Sequence, residues 1–252
     1  MVAVLEVQNV CKSFKTDDNK NDVLKNINLS VKEGEFVTIM GPSGSGKSTL
    51  LYSVSGMDKV DSGKIILGKK DLAKCNEKEL TEVRRNKMGF VFQQPNLLKN
   101  LSILDNIVLT AVLKEPEKIH EIHQRAKALM KKAGIEGLED RDIKSTSGGQ
   151  LQRVGICRAL INKPEILFAD EPTGALNSKM AKEIMTLLKE INNEGMTLLM
   201  VTHDDKVAAQ SDRVLFMVDG KIMSEVQLGK SDGTNLEERM STISRTMQRL
   251  SI

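Results

Sequence analysis

An α/β domain with a mostly parallel sheet is the fold class this sequence predicts, on three observations. Short, almost continuously apolar runs recur at residues 35–40, 88–92, 166–169, 197–201 and 213–218, and such runs belong to strands buried on both faces of a parallel sheet. Helical patterns lie between the later runs, at residues 150–161 and 179–192, and this alternation is the mark of an α/β domain. The chain has 252 residues, 40% hydrophobic and 28% charged, the balance of a folded protein with one large or two small domains.

In chain order, residues 5–10 and 24–31 read as strands, the second with Leu24, Ile27, Leu29 and Val31 as its apolar positions. The polar run 15–22 between them reads as a hairpin-type loop. The run 35–40 is the first buried strand, and a helical pattern follows over 49–55. From about 95 to 149 the pattern changes. Leu104, Ile107, Val108 and Ala111, then Ile119, Ile122, Ala126, Leu129 and Met130, stand at helical spacing with no strand-like run. This stretch reads as an inserted helical subdomain; the other reading is a surface elaboration of the same sheet domain. After the spacer around Gly229 and Gly233, the residues Leu236, Met240, Ile243, Met247 and Leu250 alternate spacings of four and three, an amphipathic stripe. The expected division is 1–228 for the main domain and 229–252 for a C-terminal helical extension. That extension could pack on its own domain, contact a partner or lie on a membrane surface; its small net charge disfavours the last.

Composition excludes several function classes. No apolar run approaches the roughly 20 residues that cross a bilayer, and the start MVAVLEVQNV lacks the features of a secretion signal, so the cytoplasm is the expected compartment. With 37 basic and 34 acidic residues, the charge is too even to argue for nucleic acid. Cys11, Cys75 and Cys157 are odd in number and form no CxxC, suggesting neither a disulfide framework nor a zinc site.

The chemistry begins at Gly41-Pro-Ser43-Gly44-Ser-Gly46-Lys47-Ser48-Thr49. It fits G-x-x-x-x-G-K-[ST] and stands between an apolar strand and a helix, as a P-loop must. Glycines let the backbone wrap phosphates, so that N–H groups and the helix N-terminus face negative charge. Lys47 then reaches the β- and γ-phosphates, and Ser48 serves Mg²⁺. The apolar run 166–169 ends in Asp170 and Glu171, the Walker B arrangement: Asp170 holds Mg²⁺, and Glu171 orients or deprotonates the attacking water. The second carboxylate favours hydrolysis of ATP.

With these motifs in place, nearly the whole chain resembles the ATP-binding subunit of an ATP-binding cassette (ABC) transporter. The resemblance implies a P-loop NTPase fold with a RecA-like, mostly parallel sheet, an N-terminal antiparallel β subdomain and an inserted α-helical subdomain. Thr146-Ser147-Gly148-Gly149-Gln150 matches the family's LSGGQ signature, which closes over ATP held by a second subunit. Phe14 matches the aromatic residue that stacks on adenine, although a lone Phe in a β-rich segment is by itself more often core. Gln93 matches the Q-loop glutamine that approaches Mg²⁺ and the water. His203, in Val-Thr-His-Asp, matches the switch histidine at the γ-phosphate, although a lone strand-end histidine is more often structural. His120 and His123 read as solvated helix residues.

Two positions depart from the pattern. Thr146 replaces leucine, which removes apolar packing beneath the loop. Asn177 replaces the D-loop aspartate, keeping hydrogen bonding but losing charge, and implies reduced or altered turnover. The segments 88–98 and 169–176 resemble most closely the branch of lipoprotein-release, macrolide-export and antimicrobial-peptide-resistance ATPases. The resemblance therefore implies an ATP-hydrolysing homodimer with ATP at its interface. It would be peripheral to the cytoplasmic face of the membrane and drive a permease, with peptide detoxification the favoured subgroup. Residues 95–106 should contact that permease, and no nucleic acid is expected. Two other functions stay open on sequence grounds: a soluble ABC ATPase without a permease, and a nucleotide sensor with little turnover. The transported molecule is not written in this chain.

Overall fold

In the computed structural model, residues 2–16, 19–231 and 233–252 are described. The chain divides into two compact units, Met1–Glu82 with Ile191–Ile252, and Val83–Glu190.

The first unit opens with β1 (Ala3–Thr16) and β2 (Asn19–Lys32), an antiparallel pair from Ala3↔Lys32 to Thr16↔Asn19. Both strands run further than their apolar residues indicate. Leu5, Val7, Val10, Leu24, Ile27 and Val31 are buried, and beyond them polar residues carry the ladder through most of the expected 15–22 loop; Asp17 and Asp18 of that loop lie outside the described residues. β3 (Phe36–Met40) follows, then α1 (Lys47–Val54), β4 (Ser62–Leu67) and the two-residue β5 (Lys70–Asp71). The antiparallel sheet has the order β2-β1-β4-β5. The helix α2 (Glu77–Lys87) then crosses the boundary between the units.

The second unit contains β6 (Met88–Phe92), α3 (Ile103–Val112), α4 (Ile119–Lys132), α5 (Gly148–Leu160), β7 (Ile166–Asp170) and most of α6 (Ser178–Asn193). β6 and β7 pair in parallel, Met88↔Ile166 to Phe92↔Asp170, and Phe90 stacks on Phe168 at 5.5 Å. A Cβ on Gly89 would lie 2.5 Å from the Ala159 carbonyl oxygen, so glycine is what lets α5 press against β6. The buried Asn106 side chain donates to the carbonyls of Leu98, Leu101 and Ser102 and accepts from Leu98 N–H, fixing the segment before α3.

The chain re-enters the first unit with β8 (Thr197–Val201), the short helix α7 (Asp205–Ala208), β9 (Arg213–Val218) and β10 (Lys221–Gln227). β3 pairs in parallel with β8 and β9, and every residue of β3 and β8 is buried, which is why both read as unbroken apolar runs. β10 pairs antiparallel to β9 with alternating exposure. Arg213, 7% exposed, bonds Glu35 at 2.7 Å and Glu225 at 3.1 Å, so its buried charge is compensated.

The helix α8 (Leu236–Leu250) ends the chain. Its stripe of Leu236, Met240, Ile243, Met247 and Leu250 packs on Met40, Ala208, Ala209, Val214 and Phe216. Of the three roles left open for this stripe, packing on its own unit is the one the structure contains. The Arg239 guanidinium, 3% exposed, reinforces it by donating to the carbonyls of Ala209, Ser211, Leu228 and Gly229. Cys11, Cys75 and Cys157 are free thiols, and burial pushes Cys157 up to about 12, so it stays protonated and unreactive at neutral pH.

Candidate functional site

In the first unit, the loop from Gly41 to Gly46 joins buried β3 to α1. A Cβ on Gly41 would lie 2.0 Å from the Met217 carbonyl oxygen, and one on Gly46, at φ 99°, would lie 2.9 Å from the Val23 carbonyl oxygen. Only glycine fits either place. Gly46 supplies α1 with no side-chain cap, and a helix N-terminus built this way suits an anion. The Lys47 ammonium, 8% exposed, donates to the carbonyls of Gly41 at 2.9 Å and Pro42 at 2.8 Å. The lysine therefore folds back over its own loop. The buried Ser45 hydroxyl has no hydrogen-bond partner among the described residues, a polar atom left for something the loop encloses. α1 starts at Lys47 rather than at residue 49, because the left-handed Gly46 turns the chain directly into the helix. Ser43 and Gly44 are exposed on the loop, and Ser48 and Thr49 lie half-buried in the first turn of α1.

Phe14, near the end of β1, is 45% exposed, with the Lys12 ammonium 4.7 Å from its ring centroid. His203 is exposed just beyond β8. The following Asp204 caps α7, accepting from Lys206 and Val207 N–H, which fixes the turn that carries the histidine.

In the second unit, Asp170 ends β7 half-buried. Glu171 follows with φ 44°, a left-handed conformation that costs a non-glycine residue of order 1–3 kcal/mol and is common at functional sites. A Cβ on Gly174 would lie 2.8 Å from Gln93 Nε2 and 3.2 Å from Glu171 Oε2. The structure thus brings the Q-loop glutamine and the second carboxylate together over one glycine. Asn177 caps α6, its Oδ1 accepting from Met180 N–H at 2.9 Å.

The signature is built as a capping box. Ser147 Oγ accepts from Gln150 N–H at 3.4 Å, and Gln150 Oε1 accepts from Ser147 N–H at 3.1 Å. A Cβ on Gly148 would have ordinary room, 3.8 Å from Leu176, whereas one on Gly149 would crowd Met180 at 3.1 Å. Thr146, in place of leucine, is half-buried and donates its hydroxyl to the Asp142 carbonyl at 2.9 Å, so a local hydrogen bond stands where apolar packing was expected to be lost.

Sequence reasoning missed Met217 and Val23, whose carbonyls crowd the phosphate loop, and Lys12 against Phe14. The first two are long-range and leave no local pattern. Lys12 was legible, since it stands two residues before Phe14 on the same strand face.

A glycine-lined phosphate loop opening a helix, with a strand-end carboxylate pair and a capped Ser-Gly-Gly turn, defines a P-loop ATPase of the cassette class. The chain belongs to the ABC transporter family, whose profile matches residues 24–174, and it is an ATP-binding, ATP-hydrolysing cassette subunit. It is 41% identical to the bacitracin export ATP-binding protein BceA of Halalkalibacterium halodurans, over 96% of both chains. It is 40% identical to the macrolide export ATP-binding/permease protein MacB of Campylobacter jejuni, over 96% of this chain and 37% of that protein. Among solved structures, the cassette MJ0796, a protein of Methanocaldococcus jannaschii, matches with TM-score 0.81 and 41% identity, over 90% of this chain and all of that one; it is a dimer in a post-hydrolysis state bound to ADP and Pi.

Proposed function

We propose that this chain powers an export or detoxification permease, with antimicrobial peptides the favoured cargo class. The observation that carries the reading is the likeness to the bacitracin export protein along nearly the whole of both chains. In the macrolide relative, ATP-binding and permease functions share one name, and this chain spans about a third of it. Among the described residues no helix is long and apolar enough to cross a membrane, in keeping with a subunit held at the cytoplasmic face by its permease. Leu98, Leu113 and Ile119 are exposed apolar residues of the second unit, suited to a coupling segment of that partner. The expected contact over 95–106 narrows by two residues, because Ile103 is 0% and Asn106 1% exposed, and the Asn106 amide is spent on the chain's own carbonyls.

In this reading, Phe14 stacks on adenine, and the backbone of Gly41, Gly44 and Gly46 with Ser43 and Thr49 surrounds the phosphates. Lys47 leaves its loop carbonyls for the β- and γ-phosphates, which offset its charge better than neutral oxygens do. Glu171 orients the attacking water and takes up its proton, while Gln93, beside Glu171 over Gly174, approaches the same water. His203 donates to the γ-phosphate, and Ser147, Gly148, Gly149 and Gln150 of a second copy close over it. Among the described residues no three His, Cys, Asp or Glu could hold a metal by themselves. Mg²⁺ takes oxygen ligands, usually one or two protein carboxylates beside the phosphates and water; the hydroxyl of Ser48, the carboxylate of Asp170 and the amide oxygen of Gln93 are donors of that kind and would hold it. When bound, Mg²⁺ neutralises charge developing on the β- and γ-oxygens. The rest falls to this chain's residues.

Steady-state hydrolysis of Mg-ATP across a range of protein concentrations tests the reading, beside Glu171→Gln. Specific activity should rise with concentration in the parent chain. It should fall by at least about 100-fold in the variant, which still binds ATP. Activity independent of concentration, or retained by Glu171→Gln, would remove the dimeric, Glu171-dependent reading.

A further inference from the structure

We propose that Lys12 is a positioning residue for the adenine base, acting by closing one face of the Phe14 ring and leaving the other for the nucleotide. The inference rests on the reading of Phe14 as the base-stacking aromatic and goes beyond it by naming what holds that aromatic in place. Phenylalanine has no hydroxyl, so no hydrogen bond from the ring can orient it. The ring is 45% exposed, more than packing alone would hold still.

Lys12 is the opposite case, a lysine only 7% exposed. Its ammonium stands 4.7 Å from the Phe14 centroid, donates to the Lys59 carbonyl at 2.7 Å and lies 3.8 Å from the Asp58 carboxylate. Strand geometry puts residues 12 and 14 on one face, and the partners at 58 and 59 keep the cation from swinging into water. A cation withheld from water attracts an aromatic face more strongly than an exposed one. It also draws electron density from that face, which makes the opposite face a better stacking partner for an electron-rich purine.

Ser13 adds a second tie from the same loop. Its N–H and hydroxyl donate to Asp61 at 2.8 and 2.5 Å, and Asp61 N–H donates to the Cys11 carbonyl at 2.9 Å. The Ser13 hydroxyl and N–H bonds, the hydroxyl first, hold the Asp61 carboxyl below its ordinary value. Residues 58–61 follow α1, the helix that begins at the phosphate loop. The base platform and the phosphate loop are therefore joined through one short stretch of chain, and Lys12 is the clamp at the base end.

The test compares equilibrium binding of ADP with that of inorganic pyrophosphate, which offers the loop phosphates but no base. The chains are the parent, Lys12→Met, Lys12→Arg, Phe14→Ala and the Phe14→Ala/Lys12→Met double variant. Lys12→Met should weaken ADP by about 3- to 10-fold and leave pyrophosphate unchanged. Lys12→Arg should stay within about twofold of the parent, since arginine also binds an aromatic face. In the Phe14→Ala background, Lys12→Met should have no further effect. Lys12→Gln, which removes the charge but keeps a donor for the Lys59 carbonyl, is read alongside and should repeat the result if the Met variant is unstable. Equal weakening of ADP and pyrophosphate would reduce Lys12 to a structural role and overturn the proposal. A loss for Phe14→Ala with none for Lys12→Met would overturn it while keeping the stacking reading. No loss for Phe14→Ala would sink both.

Discussion

Two glycine-rich turns open helices in this protein, and they use glycine for different reasons. At Gly41 and Gly46 a side chain has nowhere to go, with backbone oxygens 2.0 and 2.9 Å from where a Cβ would stand. At Gly148 a Cβ has ordinary room, and at Gly149 it meets only the flexible Met180 side chain. The first turn gives α1 no side-chain cap, whereas the second caps α5 reciprocally through Ser147 and Gln150. A loop shaped by its own unit and left uncapped is built to wrap a ligand in place. A loop that is self-capped and roomy is built to present a finished surface to something that arrives. That difference matches the division of labour proposed above, in which the first loop holds ATP and the second closes on the ATP of another copy.

The comparison breaks first at Gly41→Ala. Its Cβ collides with a backbone carbonyl that cannot step aside, so a loss of about 3 kcal/mol or more of stability is expected, together with ATP binding; thermal unfolding and nucleotide titration measure both. An alanine variant that keeps parental ATP affinity would show that the crowding at Met217 does not shape the loop. Ser147→Ala sharpens the other side. Losing the cap should cost about 1 kcal/mol, read by denaturant titration, and should slow hydrolysis while ATP affinity stays parental. A drop in that affinity would place the signature loop on the chain's own nucleotide. The smallest effect belongs to Asn177→Asp. Asparagine and aspartate cap equally well, so stability should move by less than about 0.5 kcal/mol while the ATPase rate rises; an unchanged rate would show that the asparagine has no kinetic role.

The same contrast explains how much was readable in the sequence. Strands β6, β8 and β9 coincide with their apolar runs because each lies in a parallel pairing with most of its residues buried. β10 escaped notice because it alternates half-buried and exposed residues at an edge. β4 has a polar, exposed first half, and α2 buries only Leu80 and Val83, so neither carries a strong period. At the site, the phosphate loop and the strand-end carboxylates were legible from residue type and spacing, because phosphate chemistry fixes them locally; Phe14, Gln93, Asn177 and His203 were expected only through the family resemblance. The left-handed Glu171, the meeting of Gln93 and Glu171 over Gly174, and the Met217 carbonyl behind Gly41 are products of chain packing. No local pattern encodes them.

Mixing two defective chains tests the central claim most directly. Lys47→Ala damages only the loop that holds ATP. Gly148→Asp fits sterically, at 3.8 Å from Leu176, but sets a carboxylate against the phosphate of the opposing copy. Each variant alone should hydrolyse ATP at near background. A mixture should recover up to about a quarter of parental activity, because half of randomly formed dimers are mixed and each mixed dimer has one site with both elements intact. If the mixture stays as inactive as its components while mixed dimers form, the two loops do not act across a pair of chains.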